Sequence, residues 1–204
     1  LFVADGTTCG LAALFLWIVL RDWRPTLEAR DANDARSGRP LADRHFVVLL
    51  AFTFCYLFAF LQYFSTVPLF YNEVHGLDEF NIGLLLGMNG ALIFLIEMPL
   101  IKYSEDHGFD RMRILVVSVA FIALSFVMLN IFPHVVFLWI GMLFLTVGEM
   151  LNFPFMNRFA YDRAEQGSPG AYMALFTIAW SVAHIIGHTL GLNLIARFGY
   201  QATW

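Results

Sequence analysis

The stretch ILVVSVAFIALSFVMLNIF, residues 114–132, runs for nineteen positions without a charged side chain. A helix rises about 1.5 Å per residue, so roughly 18 to 20 apolar residues cross the ~30 Å hydrocarbon core of a bilayer. This run is long enough to span. Five more of comparable length lie near 1–20, 46–70, 80–101, 135–156 and 171–195. Together they predict an all-α, polytopic membrane helix bundle with six spanning helices.

Composition agrees. Of the 204 residues 59% are hydrophobic and 14% charged, whereas soluble domains carry about 25% charged residues. The opening LFVAD lacks the positive start of a secretory signal peptide, so 1–20 reads as a spanning helix. The chain lacks an initiator Met and closes on FGYQATW, which reads as the approach to a further helix, so a fragment is expected. Cys9 and Cys55 fall inside apolar runs and point to no disulfide framework. A net charge of −4 without a basic face argues against a nucleic-acid partner. No cofactor is expected.

Alternating the connections across a membrane puts eleven of the twelve basic residues on one side and only Arg197 on the other. The positive-inside rule then makes the loops 21–45, 102–113 and 157–170 cytoplasmic, in a multi-pass protein of the plasma or inner membrane. The longest loop, RDWRPTLEARDANDARSGRPLADRH, mixes six Arg with five acids and reads as a hydrated linker outside the packed bundle.

Ionisable groups at membrane depth are costly and usually face protein or water. In 135–156 the segment TVGEMLNFPF places Thr146, Glu149 and Asn152 at i, i+3 and i+6, ahead of Pro154. Glu149 lies about 4 to 5 Å from the middle of the run, too deep to snorkel comfortably. It is either a protonatable cavity residue or the partner of a loop arginine such as Arg113 or Arg158. In 46–70, Gln62, Ser65 and Thr66 recur at helical spacing with Tyr56 and Tyr63 nearby, as a wet wall or as interhelical glue.

In 80–101, Gly83, Gly87 and Gly90 form a small-residue face suited to close packing. Asn89 lies near mid-membrane, and Glu97 reads as an end-of-helix acid. In 171–195, Thr177, Ser181, His184 and His188 share a stripe beside Trp180, with a GxxxG at Gly187 to Gly191. The HxxxH spacing lacks a third ligand, so no metal site is expected. A proton-sensitive cavity wall and plain packing both fit the stripe.

The order of FLQYFSTVPLFY (60–71), LLLGMNGALIFLIEMPLIKYSEDHGFDRMR (84–113) and TVGEMLNFPFMNRFAYDRAEQGSPGAYMALFTIAWSVAHIIGHTLG (146–191) resembles a major facilitator superfamily transporter. The match runs from about that family's sixth helix to the start of its twelfth. The resemblance implies two six-helix bundles around a cavity that opens alternately to either side. On that mapping 1–20 is the last helix of the N-terminal bundle and 21–45 the cytoplasmic inter-bundle linker. Residues 46–204 are the C-terminal bundle, truncated at the start of its final helix.

Two motifs depart from the family pattern. EDHGFDRMR stands where D-R-x-G-R-R is usual, and Pro169-Gly170 where Arg-Gly is common. By resemblance, Asp106, Asp110, Arg111, Arg113 and Asp162, with Glu97, are cytoplasmic gate candidates. Substrate-cavity candidates are Tyr56, Gln62, Asn89, Glu149, Asn152, Trp180, His184 and His188. The implied function is secondary active transport of a small solute, proton- or ion-coupled. The implied partners are that solute, the lipid bilayer and the missing N-terminal bundle. A membrane enzyme using His and Glu, or a non-transporting scaffold or receptor, are the alternatives; no G-x-S-x-G nucleophile motif is present.

Overall fold

A computed structural model describes residues 14–15, 17–18, 40–131, 134–165 and 168–204. The chain divides into two units, Leu1–Ala35 and Arg36–Trp204. In the first, the four described residues are helical. The expected span at 1–20 and most of the linker at 21–45 lie outside the described residues. The second unit carries five helical spans of membrane length.

Its first long helix, α1 (Arg44–Ser65), starts where Asp43 takes a non-helical conformation and accepts from the backbone N–H groups of His45 and Phe46. This N-cap satisfies two of the donors that every helix start leaves free. At Thr66 the helix breaks and resumes as α2 (Val67–Glu73). Pro68 has no N–H to return to the preceding turn, and the Thr66 hydroxyl bonds the Gln62 carbonyl at 3.0 Å. The two pieces cross as one span, Arg44–Glu73.

Gly76, with a φ of 63°, turns the chain into α3 (Glu79–Asp106), capped by Asp78. Gly108 (φ 62°) leads to α4 (Arg111–Ile131). α5 (Val135–Ala164) runs unbroken through Pro154. α6 (Pro169–Phe198) ends at Gly199, and the short α7 (Tyr200–Thr203) follows. The five spans are long and apolar enough to cross a membrane, and the described residues contain no strand. The protein is an all-α, multi-pass membrane helix bundle.

Successive spans alternate in direction, which gathers Arg44, Lys102, Arg111, Arg113, Arg158 and Arg163 at one end, the arginine end. One apolar cluster, including Phe46, Leu115, Met156 and Phe176, fills that end. A second, including Leu57, Tyr63, Leu129 and Met142, occupies the rest of the bundle.

Glycine decides where helices approach most closely. A Cβ on Gly148 of α5 would stand 3.0 Å from both the Ser118 carbonyl oxygen and Ile122 Cγ1 of α4, and one on Gly141 3.3 Å from the Ser125 carbonyl oxygen. Gly187 of α6 packs on Leu61, and Gly191 on the Gln62 amide. The expected face on α3 does not behave this way. Added Cβ atoms on Gly83, Gly87 and Gly90 would meet nothing within 4 Å among the described residues. α3 instead turns Leu85, Asn89 and Ser104 inward.

These contacts predict opposite outcomes for one substitution at two sites. Gly148→Ala pushes a methyl onto α4 backbone and should lower stability by about 1 to 3 kcal/mol, as overpacked sites do. Gly87→Ala should be neutral or slightly stabilising, because alanine favours helix by up to about 1 kcal/mol. Thermal unfolding of the purified full-length protein compares them; equal effects would refute the close α4–α5 approach.

Candidate functional site

Midway along α3 and α5, three polar side chains meet. The Asn89 amide nitrogen donates to Glu149 Oε2 at 3.0 Å and to Thr146 Oγ1 at 3.1 Å. The Thr146 hydroxyl in turn donates to the Met142 carbonyl at 2.7 Å. Asn89 and Thr146 are buried, whereas Glu149 is half-buried. A carboxylate at this depth needs partners, and one amide donor holds a single oxygen.

The expected arginine partners of Glu149 are engaged elsewhere. Arg113 pairs with Asp110 at 3.8 Å and Arg158 with Asp162 at 3.1 Å. Among the described residues no cationic side chain lies within ion-pairing distance of Glu149. The alternative of an ion pair to Arg113 or Arg158 is therefore corrected: the partner of Glu149 among the described residues is the uncharged amide of Asn89. Arg158 stands more than two turns further along α5, Arg113 sits in the first turn of α4 at the arginine end, and each has a nearer acid.

An aromatic wall adjoins this node. Tyr56 of α1 is buried and its hydroxyl donates to the Gly148 carbonyl at 3.4 Å. The Phe153 ring, one turn beyond Glu149, meets Tyr56 at 5.8 Å and Phe60 at 4.9 Å, both edge-on. Trp180 of α6 lies 5.1 Å from Phe153 and stacks on His184 at 6.2 Å. Trp180 Nε1 is buried without a hydrogen-bond partner among the described residues.

The α6 stripe stays on an open face. Thr177, Ser181 and His184 are exposed and His188 is half-buried. The Thr177 and Ser181 hydroxyls donate to carbonyls one turn back in their own helix, at 2.9 and 3.0 Å. The His184 and His188 rings are 6.2 Å apart. No group of three His, Cys, Asp or Glu suited to a metal occurs among the described residues.

Two candidates lie in packed seams instead. Asn152 is fully buried and donates to Ser118 Oγ of α4 at 2.8 Å. Gln62 donates to the Gly187 carbonyl at 3.1 Å and accepts from the Thr66 hydroxyl at 3.2 Å. Both join helices and are buried, unlike Glu149, Trp180 and His184, which are half-buried or exposed.

At the arginine end, Asp162 of α5 receives Arg111 of α4 and, one turn back, Arg158. Asp106 and Glu97 carry no ion pair among the described residues. A second cluster was not legible in the sequence. Arg163 grips both oxygens of Asp43, Nη2 to Oδ1 at 2.6 Å and Nε to Oδ2 at 3.1 Å, and Tyr172 donates to Oδ2 at 3.4 Å. Thus the expectation that the loop 21–45 stays outside the packed bundle fails at its last residues. Asp43 ties the start of α1 to α5 and α6. An Asp just before an apolar run is an N-cap signal, and it could have located this residue.

Burial pushes the Asp43 carboxyl up, but the Arg163 bonds and the N–H groups of Phe46 and His45 outweigh it and hold it below the ordinary carboxylate value. A depressed carboxyl stabilises the fold above about pH 4, its unfolded value, and loses that contribution as pH falls through the folded value. Asp43→Ala removes both cap and clamp, and should cost about 1 to 3 kcal/mol, the scale of a lost N-cap plus a partly exposed charge-assisted hydrogen-bonded pair. Arg163→Gln keeps the cap and should cost less. Thermal melts of the full-length protein at pH 7 and pH 3.5 check this: the gap between wild type and Asp43→Ala should shrink at the lower pH, and a constant gap would refute the assignment.

The architecture, five apolar spans joined by buried polar contacts, is that of a polytopic membrane helix bundle. The sequence matches the Major Facilitator Superfamily over residues 1–188, and the chain belongs to that family. It is 26% identical over 160 residues to the uncharacterized MFS-type transporter YttB of Bacillus subtilis (strain 168). That match covers 77% of this chain and 40% of the relative, so the chain spans about two-fifths of the relative's length. No solved structure matches it.

Proposed function

We propose that the chain forms most of one half of a secondary transporter that moves a small solute by alternating access, with Glu149 taking part in proton or ion coupling. The observation that carries this reading is the mid-span carboxylate held by Asn89 with no cation beside it among the described residues. Such a group can exchange a proton or cation with the open face without first breaking a salt bridge. On this reading 1–20 closes the N-terminal bundle, 21–45 links the bundles, and 46–204 belongs to the C-terminal bundle. The arginine end faces the cytoplasm of the plasma or inner membrane. The missing N-terminal bundle completes the path, and no enzymatic role is assigned.

Glu149→Gln preserves shape and the Asn89 contact but cannot titrate. In proteoliposomes of the full-length protein, screened with a panel of small solutes, this variant should lose gradient-driven uptake while retaining exchange at saturating solute. Undiminished gradient-driven uptake would reduce Glu149 to a structural role.

The pair of Asp162 with Arg111 joins α4 to α5, and Arg158, one turn back on α5, shares the same carboxylate; at such exposed positions single pairs contribute about 0 to 1 kcal/mol. Energies of that size suit a bias between two conformations a few kcal/mol apart. Asp162→Asn should therefore change the fraction of inward-open protein, read as accessibility of a single introduced cysteine to a membrane-impermeant maleimide, with little change in thermal stability. An unchanged labelling pattern would remove this gate role.

A further inference from the structure

The charge at membrane depth has one sign. No Lys or Arg occurs in 46–101, 114–156 or 171–195, the six basic residues from Arg44 to Arg163 all lying at the arginine end and Arg197 at the other. Within those stretches Glu149 is the acid nearest the middle of a span. Asn89 holds one of its carboxylate oxygens, and it lies one helical turn from Phe153. Phe153 and Trp180 are half-buried like Glu149, and their rings lie 5.1 Å apart. An anionic solute here would meet only negative charge and aromatic faces, whose quadrupole is also negative. A cation is attracted by both.

We infer that this face recognises a lipophilic organic cation, its charge set near Glu149 and its apolar groups against Phe153 and Trp180. The inference rests on the transport reading above, because it treats the open face as a solute-binding wall. His184 stacks on Trp180 at the edge of the same wall, with His188 one turn further on. Their rings extend the aromatic surface. Ring contacts run continuously from Tyr56 through Phe60, Phe153 and Trp180 to His184; the first two rings are buried and back the wall, and the last three reach its surface.

The test uses two ions of matched size and opposite charge. Labelled tetraphenylphosphonium and, in a separate experiment, labelled tetraphenylborate are each equilibrated with the full-length protein in nanodiscs, with empty nanodiscs subtracted. Saturable phosphonium binding is expected, weakened about tenfold or more in Glu149→Gln and partly restored in Glu149→Asp. Phe153→Ala and Trp180→Ala should each weaken it by about threefold to thirtyfold, the range of desolvated cation–aromatic contacts. The borate alone should show no saturable binding. No saturable phosphonium binding, equal binding by Glu149→Gln, or saturable borate binding of similar strength would each overturn the inference. Failures remain separable from those of the transport reading: saturable cation binding without any gradient-driven uptake supports the cation site and removes transport. Glu149-dependent uptake of another solute with no phosphonium binding overturns the cation class and leaves transport standing.

Discussion

Hydrocarbon offers no hydrogen bonds, and this single constraint sorts every polar side chain in the spans. Most meet it locally. Thr53, Ser65, Thr66, Ser104, Thr146, Thr177 and Ser181 return their hydroxyls to a carbonyl one turn earlier in the same helix. Such residues need no neighbour, and their presence in an apolar run says little about function. Amides and carboxyls are different, because their capacity exceeds what one turn of helix offers. They must reach another helix or an open face.

That difference separates glue from site. Gln62 is used on both sides, by the Gly187 carbonyl and by Thr66, and Asn152 is sealed between α4 and α5 against Ser118. Asn89 is also buried, but its two bonds converge on α5, and one of them ends on an acid that remains half exposed. The node at Glu149 is therefore the place where the bundle's internal polar bonding opens outward. The adjoining rings offer that carboxylate few donors, since the Tyr56 hydroxyl is given to the Gly148 carbonyl and the Trp180 N–H has no partner among the described residues.

The spans themselves were legible because length and lack of charge report the hydrocarbon thickness directly. Boundaries moved outward by a few residues, as at α1, where the apolar run begins at Phe46 but the Asp43 cap starts the helix at Arg44. Which neighbour each face meets was not legible. Thr146, Glu149 and Asn152 fan around α5 in steps of about 60° at three-residue spacing. That is wide enough for the first two to meet α3 while the third meets α4. The glycines show the same limit: spacing marked Gly83, Gly87 and Gly90, while close packing falls on Gly141 and Gly148. A helix can be amphipathic in small residues without revealing what stands opposite.

Both the mid-span node and the arginine end depend on α5. Thr146 and Glu149 lie on one side of Pro154, and Arg158, Asp162 and Arg163 on the other. Glu149 and Asp162 are thirteen residues apart, about 20 Å of helix. A charge change at one end reaches the other only through an element with two arrangements. Pro154 supplies no N–H to the Met150 carbonyl, so bending there breaks one bond fewer than bending elsewhere in the helix. Gly148, pressed on Ser118 and Ile122, fixes the part of α5 just ahead of that point. The segment beyond it is held by Arg111, by Asp43 and by packing of Ala160 and Ala164, contacts that sit nearer the exposed end. Bending of α5 would therefore be concentrated beyond Pro154, leaving the mid-span node in register with α3.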